Sequence, residues 1–296
     1  MYTRILVGTD LSADADRAVT VAHQLAKRSG AKLAVCHVMP SLQQSNMLFP
    51  QAVGPTALAL ADFERRAGEA VSERVQNLLG AEGQAVEIFV ESGADYAELV
   101  SRAEAFRADL VVVASHGHTG MKRALLGGVS DKVVRYAHSS VLVVRPGDHA
   151  GPVVAATDLS DASIPAIETA SEEARSRGKE LVVVHAIDTL PFVAGGAVGT
   201  PFGVFGGYDA GTAAAVVTTA RAALDAKLAE KNIAAKGESL EGPATATIVR
   251  RAEELDASLL VVATHGRTGL RRALLGSVAE SVVRHAPCST LVVRRA

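Results

Sequence analysis

Short runs of aliphatic, mostly β-branched residues alternate along the whole chain with amphipathic segments of helical spacing. Such runs are typical of strands that are buried on both faces of a parallel sheet. The segments between them have recognisable ends: Ser12 is the predicted N-cap of the first helix, and Gly30 is its predicted end. Strands that alternate with helices imply right-handed crossovers, and therefore a parallel sheet with helices on both faces.

In the first half of the chain, the apolar runs predict strands and the amphipathic segments between them predict helices. The predicted strands are residues 5–10, 33–38, 86–90, 110–113 and 141–144. The predicted helices follow Ser12 and then cover about residues 58–79, 96–105 and 129–136. This order of elements predicts a five-stranded, doubly wound α/β domain of the Rossmann-like class.

The second half repeats this plan. Between Ala114–Arg145 and Ala263–Arg294, 20 of 32 paired residues are identical without a gap. This degree of identity indicates a tandem duplication. A linker rich in Pro and Gly, residues 145–152, separates the two copies. We therefore predict two domains of the same fold, at residues 1–146 and 151–296.

Composition narrows the classes of function. The chain has 30 basic and 32 acidic residues and a net charge of −2, which argues against binding to nucleic acid or to an anionic membrane surface. No apolar run approaches the ~20 residues of a membrane-spanning helix, and the first strand begins too early to leave room for a signal peptide. Cys36 and Cys288 lie one in each half, which does not suggest a disulfide framework. We expect a soluble cytoplasmic protein.

A Gly-rich turn after the fourth predicted strand of each half is the main candidate for a binding site. The next helix is predicted to begin near Gly127 in the first half and near Gly276 in the second. A helix start offers free backbone N–H groups and the positive end of the helix dipole, and glycine leaves no side chain in the way, so phosphate can bind there. Asp10 and Asp158 end the first strands, which are neighbours of the fourth strands at the crevice of such a sheet.

These motifs resemble those of the universal stress protein family, twice and over nearly the whole chain. Nucleotide-binding members carry the pattern G-x2-G-x9-G-[S/T], and the resemblance implies bound ATP, AMP or ADP, with or without Mg²⁺. It places Asp10 and Asp158 at the adenosine end of the ligand and Val38 and Ala186 beside the adenine. The binding residues that the resemblance implies are Asp10, Val38, Ala114, Gly117, Gly127, Gly128 and Val129, then Asp158, Ala186, Ala263, Gly266, Gly276, Ser277 and Val278.

The chain departs from the family pattern at two places. Ala114 and Ala263 stand where the family has its first glycine, and alanine is small enough to keep a close backbone approach. Gly128 stands where the family has Ser or Thr, so the first half lacks a hydroxyl for a phosphate oxygen. We expect the second half to hold nucleotide at least as well as the first.

The same residues also have purely structural interpretations. The glycines can serve helix–strand packing, and Asp10 and Asp158 can cap the next helix. His116 and His118 suggest a metal site, but the second half has Arg267 in place of the second histidine. A histidine that orients the turn through a hydrogen bond is the favoured interpretation of His116.

Two further kinds of segment are open to more than one interpretation. Basic pairs between the glycines can contact phosphate, although a solvated face is favoured. Apolar loops after the second strands can be lids, but packing and oligomer contacts are favoured. The basic pairs are residues 122–123 and 271–272, and the apolar loops are residues 39–56 and 188–211.

The favoured function is that of an adenine-nucleotide-binding regulatory protein of the stress response. No catalytic or metal-binding residues are assigned, and at most slow ATP hydrolysis is expected. A homodimer of the tandem chain and an unidentified regulatory protein partner are expected as well. The alternative is a nucleotide-free signalling or scaffold module of the same fold, which the two departures from the pattern favour. A nucleotide-transferring enzyme would need a second catalytic signature, which the sequence lacks.

Overall fold

The computed structural model describes residues 2–40, 57–117, 126–188, 210–264 and 275–294, with the backbone alone for residues 57–61 and 210–213. The chain divides into two compact units, Met1–Pro146 and Gly147–Arg294. Most of the two apolar loops that follow the second strands, residues 41–56 and 189–209, lies outside the described residues. No helix in the described ranges combines the length and the hydropathy needed to cross a bilayer.

The first unit alternates strands and helices, as its sequence pattern predicts. Its described elements are β1 (Arg4–Thr9), α1 (Ala13–Ser29), β2 (Lys32–Met39), α2 (Ala57–Leu79), a 3-10 segment (Gly80–Ala85), β3 (Glu87–Ser92), α3 (Asp95–Phe106), β4 (Leu110–Ala114), α4 (Gly128–Tyr136) and β5 (Ser140–Val144). All strand pairs are parallel, in the order β3-β2-β1-β4-β5. The order reverses between β1 and β4, which opens a crevice at the carboxyl ends of these strands.

The second unit repeats this arrangement. Its described elements are β6 (Val153–Thr157), a 3-10 turn (Asp161–Ser163), α5 (Ile164–Arg177), β7 (Leu181–Ile187), α6 (Ala210–Glu230), β8 (Lys236–Glu241), α7 (Ala244–Glu254), β9 (Leu259–Ala263), α8 (Ser277–His285) and β10 (Thr290–Val293). The strands are parallel in the order β8-β7-β6-β9-β10. The predicted fold class, two tandem doubly wound α/β domains, is confirmed.

The central strands are buried on both faces. Ile5, Leu6 and Val7 of β1 are fully buried, and so are Val153 and Val154 of β6. Helix α1 packs on β1 and β4, while α3 packs on β2 and lies beside α4. Right-handed crossovers put α1 on one face of the sheet and α3 and α4 on the other. Double burial explains why these strands appear in the sequence as continuous apolar runs instead of alternating patterns.

Helix α1 begins and ends where the sequence predicts. The Ser12 hydroxyl accepts a hydrogen bond from the N–H of Ala15 at 3.2 Å, which caps one of the free donors of the first turn. Gly30 ends the helix with φ of 68°, a conformation that glycine adopts without steric cost, and its N–H bonds the carbonyl of Ala26. These caps fix where α1 leaves the carboxyl end of β1.

An arginine at equivalent positions of α3 and α7 is held by different acidic residues in the two units. Arg102 bonds Glu91 and lies over the ring of Phe89, with 4.6 Å from its guanidinium carbon to the ring centroid. Arg251 makes a two-pronged contact with Glu238, at 2.7 Å from Nε and 2.9 Å from a terminal nitrogen. Glu238 is 8% exposed, so the carboxylate of this ion pair is nearly buried.

We expect Glu238→Gln to destabilise the second unit in a pH-dependent way. The hydrogen bond from Arg251 is the main reason that the pKa of Glu238 falls from 4.5 to about 2. The ionised carboxylate therefore stabilises the folded state fully above pH 4.5, and this contribution is lost as the pH falls through about 2. The variant should lose roughly 1–2 kcal/mol of unfolding free energy at pH 7, measured by denaturation followed by circular dichroism.

The matched control is Glu254→Gln, because Glu254 bonds the same arginine at 3.1 Å but is exposed. Its effect at pH 7 should be clearly smaller than that of Glu238→Gln. The difference between wild type and Glu238→Gln should shrink as the pH is lowered from 5 towards 2. A Glu238→Gln variant as stable as wild type at pH 7, or a difference that persists unchanged at low pH, would contradict this account.

Candidate functional site

The turn after β1 holds the Asp10 carboxylate at the carboxyl edge of the sheet. The Thr9 hydroxyl accepts from the N–H of Leu11 at 3.1 Å, and Asp10 Oδ1 accepts from the N–H of Ser12 at 3.0 Å. Leu11 has a φ of 65°, a left-handed conformation that costs a leucine about 1–2 kcal/mol. Ser12 caps α1, so Asp10 fixes the turn that precedes the helix.

The second unit builds the same turn after β6. Thr157 accepts from the N–H of Leu159 at 3.0 Å, and Asp158 Oδ1 accepts from the N–H of Ser160 at 3.0 Å. Leu159 repeats the φ of 65°. A strained leucine at the same position of both units indicates that the surrounding hydrogen bonds force the conformation and hold the aspartate in place.

The helices α4 and α8 begin where their glycines touch the end of the fourth strand of each unit. The Gly127 N–H donates to the carbonyl of Ser115 at 2.8 Å, and the Gly276 N–H donates to that of Thr264 at 2.7 Å. A Cβ at Gly127 would lie 3.2 Å from the Ser115 oxygen, and one at Gly276 would lie 3.1 Å from the Thr264 oxygen. Contacts this tight favour glycine at both positions. The predicted helix starts are confirmed.

The first turns of α4 and α8 present backbone N–H groups without a capping side chain. The N–H groups of Gly128, Val129 and Ser130 are the first in α4 and have no acceptor within the helix. In α8 the equivalent groups belong to Ser277, Val278 and Ala279. Together with the positive end of the helix dipole, each set forms a potential anion site. We call these two sets the amide turns.

A crevice of about 420 Å³ lies at the carboxyl edge of the first unit, beside its amide turn. Every binding residue predicted for the first half borders it. These residues are Asp10, Val38, Ala114, Gly117, Gly127, Gly128 and Val129. The structure thus brings together residues from β1, β2, β4 and α4 that are more than a hundred positions apart in the chain.

The second unit has an equivalent crevice of about 310 Å³. Six of its seven predicted residues border it: Asp158, Ala186, Ala263, Gly276, Ser277 and Val278. The seventh, Gly266, lies outside the described residues. The same holds for the basic pairs at residues 122–123 and 271–272 and for His118 and His265. The crevices are called crevice 1 and crevice 2 below.

The Asp10 carboxylate packs against the α-carbon of Gly117, in the space that a side chain there would occupy. A Cβ at Gly117 would collide with Asp10 Oδ2. The absence of a side chain at Gly117 is therefore what lets the carboxylate lie against the turn that follows β4. This contact joins the turn after β1 to the Gly-rich turn across the mouth of crevice 1.

His116 has one ring nitrogen satisfied and one that is not. Its Nδ1 is 2.9 Å from the Ser115 hydroxyl, which supports the interpretation of a histidine that orients the turn. Its Nε2 is buried and has no hydrogen-bond partner among the described residues, and the residue borders crevice 1. Within the described ranges, no group of three or more His, Cys, Asp or Glu residues could hold a metal ion.

A second pair of histidines was missed by the sequence reasoning. The Nδ1 atoms of His37 and His185 bond the carbonyls of Thr9 and Thr157, at 2.8 Å and 2.9 Å. A carbonyl accepts, so Nδ1 of each ring carries the hydrogen. These bonds tie the ends of neighbouring strands together, and His37 borders crevice 1. The signal available in the sequence was a histidine directly before the apolar residue, Val38 or Ala186, in both halves.

The candidate nucleophiles that border crevice 1 are not activated. Burial raises the pKa of the Cys36 thiol to about 12, so the thiol stays protonated at neutral pH. The Ser130 hydroxyl donates to the carbonyl of Ala114 at 2.6 Å. The Ser130 hydrogen bond instead ties the first turn of α4 to the end of β4.

Comparison with known proteins places both units in one family. A sequence model of the universal stress protein family matches residues 1–145 and again residues 150–294. A universal stress protein of Mycolicibacterium smegmatis is 29% identical over 98% of this chain and 96% of its own length. One from Methanocaldococcus jannaschii is 34% identical over 52% of this chain and 88% of its own length.

Two solved structures share the fold along the whole chain. A putative universal stress protein from Pseudomonas aeruginosa matches with a TM-score of 0.65 and 21% identity, covering 99% of this chain and 93% of its own. One from Archaeoglobus fulgidus matches with a TM-score of 0.64 and 20% identity, covering 99% and 96%. The repeated family match and the shared tandem fold show that the chain belongs to the universal stress protein family, with two domains of that family in succession.

Proposed function

We propose that each unit binds an adenine nucleotide in its crevice and that the chain acts as a nucleotide-binding regulatory protein in a stress response. The observation that carries this proposal is the position of the amide turns. Each one opens at an end of a crevice that is otherwise lined mainly by apolar atoms. An anion site next to an apolar cleft suits a ligand with a flat base at one end and phosphates at the other.

Crevice 1 offers a distinct partner for each part of a nucleotide. Val38 supplies an apolar wall for the adenine, and the Asp10 carboxylate accepts hydrogen bonds from hydroxyl or amino groups of the adenosine. The N–H groups of Gly128 and Val129 donate to the phosphates, which lie at the positive end of the helix dipole. In crevice 2 the same roles fall to Ala186, Asp158 and the amide turn of α8.

The buried Nε2 of His116, which has no partner in the described part of the chain, supports a ligand in crevice 1. Buried polar atoms in folded proteins are nearly always hydrogen-bonded, and one that is not costs about 1–3 kcal/mol. A hydroxyl or phosphate oxygen of a bound nucleotide would satisfy this nitrogen. The cost would then be recovered on binding, so the histidine would favour the occupied state.

The same arrangement favours binding over turnover. With the Cys36 thiol protonated and the Ser130 hydroxyl engaged, we assign no catalytic residue, and slow hydrolysis is the most that we expect. Mg²⁺ would enter with the phosphates of the ligand. The proposal further includes a cytoplasmic location, a homodimer of the chain and a regulatory protein partner. A nucleotide-free scaffold is the alternative, favoured by Ala114, Ala263 and Gly128 in place of the family residues.

The full chain is expected to bind two adenine nucleotides, one in each unit. Native mass spectrometry of the protein with ATP should show a stoichiometry of two. Val38→Trp should fill crevice 1 and Ala186→Trp should fill crevice 2, because both side chains border their crevices. Each variant should then bind one nucleotide, and the double variant none. Circular dichroism checks that the variants fold.

The scaffold alternative makes the opposite prediction for the same experiment. It predicts that the wild-type chain binds no nucleotide at ATP concentrations up to the millimolar range. Two nucleotides on the double tryptophan variant would place the ligands outside both crevices. Either result would remove the proposed site.

Gly128→Ser is expected to strengthen ATP binding in crevice 1. A Cβ at Gly128 meets no atom within 4 Å, so a serine fits. Its hydroxyl would supply the phosphate contact that we assign to Ser277 in crevice 2, which is worth about three- to tenfold in affinity, the net value of a typical hydrogen bond. Titration calorimetry in the Ala186→Trp chain, where crevice 1 alone is open, measures this.

The matched control is Gly128→Ala, which favours the helix at least as much as serine does but adds no hydroxyl. It should leave the affinity for ATP within about twofold of the parent chain. Ser277→Ala in the Val38→Trp chain should weaken binding by the factor that Gly128→Ser gains in crevice 1. An alanine that strengthens binding as much as serine would show that the helix start, and not the hydroxyl, sets the affinity.

A further inference from the structure

The two crevices differ by one carboxylate. The difference lies at the start of the helix that lines each of them, α3 in the first unit and α7 in the second. The loops that precede α3 and α7 are equivalent: the Gly93 N–H donates to the carbonyl of Met39, and the Gly242 N–H donates to that of Ile187, both at 2.9 Å. Two residues beyond these glycines, α3 begins with Asp95 and α7 begins with Ala244. The superposed loops make Asp95 and Ala244 structural counterparts.

Both counterparts border their crevices. Among the described residues, crevice 1 is therefore lined by two carboxylates, Asp10 and Asp95, and crevice 2 by one, Asp158. No described lysine or arginine lines either crevice. Asp95 is exposed and forms no ion pair with a described residue, so no neighbouring cation in the described structure neutralises it.

A fixed negative charge in the wall penalises a ligand in proportion to the number of phosphates it carries. Two added negative charges at roughly 10 Å, through an effective dielectric constant of about 50, weaken binding about tenfold. The amide turns add to this difference, because the first residue of α8 is Ser277 and that of α4 is Gly128. Both differences disfavour a long phosphate tail in crevice 1.

We propose that the crevices are selective for different charge states of the nucleotide: crevice 1 for adenosine or its monophosphate, and crevice 2 for the triphosphate. This inference rests on the proposed function, since it divides the two binding sites by ligand class. Asp95 is the residue that sets the selectivity, and Ala244 is its neutral counterpart. In a chain with two such sites, the relative occupancy of the crevices depends on the ratio of monophosphate to triphosphate. The occupancy of a single site does not give this ratio.

The test uses the full chain with one crevice filled at a time. Titration calorimetry without divalent metal gives the affinities of adenosine, AMP and ATP for Ala186→Trp, which leaves crevice 1 open, and for Val38→Trp, which leaves crevice 2 open. The ratio of ATP to AMP affinity should be at least tenfold higher in crevice 2 than in crevice 1, with about tenfold from the charge of Asp95 and the rest from the Ser277 hydroxyl. The difference should shrink at high salt, because exposed charges are screened.

Reciprocal substitutions then test the residue itself. Asp95→Asn keeps the size of the side chain and removes its charge, so it should raise the ATP-to-AMP ratio of crevice 1 about tenfold. Ala244→Asp should lower the ratio of crevice 2 by a similar factor. The affinity for adenosine, which is neutral, should stay within about twofold in both variants.

The outcomes separate this inference from the proposed function. If both crevices bind ATP and AMP with the same ratio, or if Asp95→Asn changes adenosine affinity as much as ATP affinity, the charge selectivity is wrong and the nucleotide sites stand. If neither crevice binds adenosine, AMP or ATP, the proposed function is wrong and the selectivity falls with it.

Discussion

The site depends on the contact between a helix start and the end of a strand. In each unit the N–H of the capping glycine, Gly127 or Gly276, donates a hydrogen bond to the carbonyl of the residue that follows the fourth strand. There is little room for a side chain at this glycine. This contact fixes the start of the next helix, whose first three residues border the crevice and have N–H groups without an acceptor in the helix. The aspartate after the first strand, held by its own turn, supplies the opposite side.

Duplication left the framework of the two units alike and let their crevice walls differ. The turns after β1 and β6 agree to 0.1 Å in their hydrogen bonds, including the strained leucines. Two differences lie at helix starts that border the crevices: Gly128 against Ser277, and Asp95 against Ala244. Side chains away from the crevices differ as well, since the equivalent arginines Arg102 and Arg251 pair with different acidic residues. A backbone that is fixed by hydrogen bonds tolerates such exchanges because none of them alters the turn.

The sequence was sufficient for the fold because its signals are local. The apolar runs, the Ser12 cap and the glycines at 30, 127 and 276 act over a few residues, and each marks the end of an element that the structure confirms. The thirteen predicted binding residues that the structure describes all border a crevice. The buried Nε2 of His116 and the role of Asp95 were not predictable. They depend on which atoms face each other across segments far apart in the chain, and neither spacing nor residue type reveals that.

The most direct test of this account is a titration of the isotopically labelled chain with ATP, followed by the backbone amide resonances in nuclear magnetic resonance spectra. The amides of Gly128, Val129 and Ser130, and of Ser277, Val278 and Ala279, should show the largest shifts, and adenosine should shift them much less. Binding of ATP that leaves both amide turns unperturbed while shifting amides elsewhere would contradict the claim that these helix starts hold the phosphates.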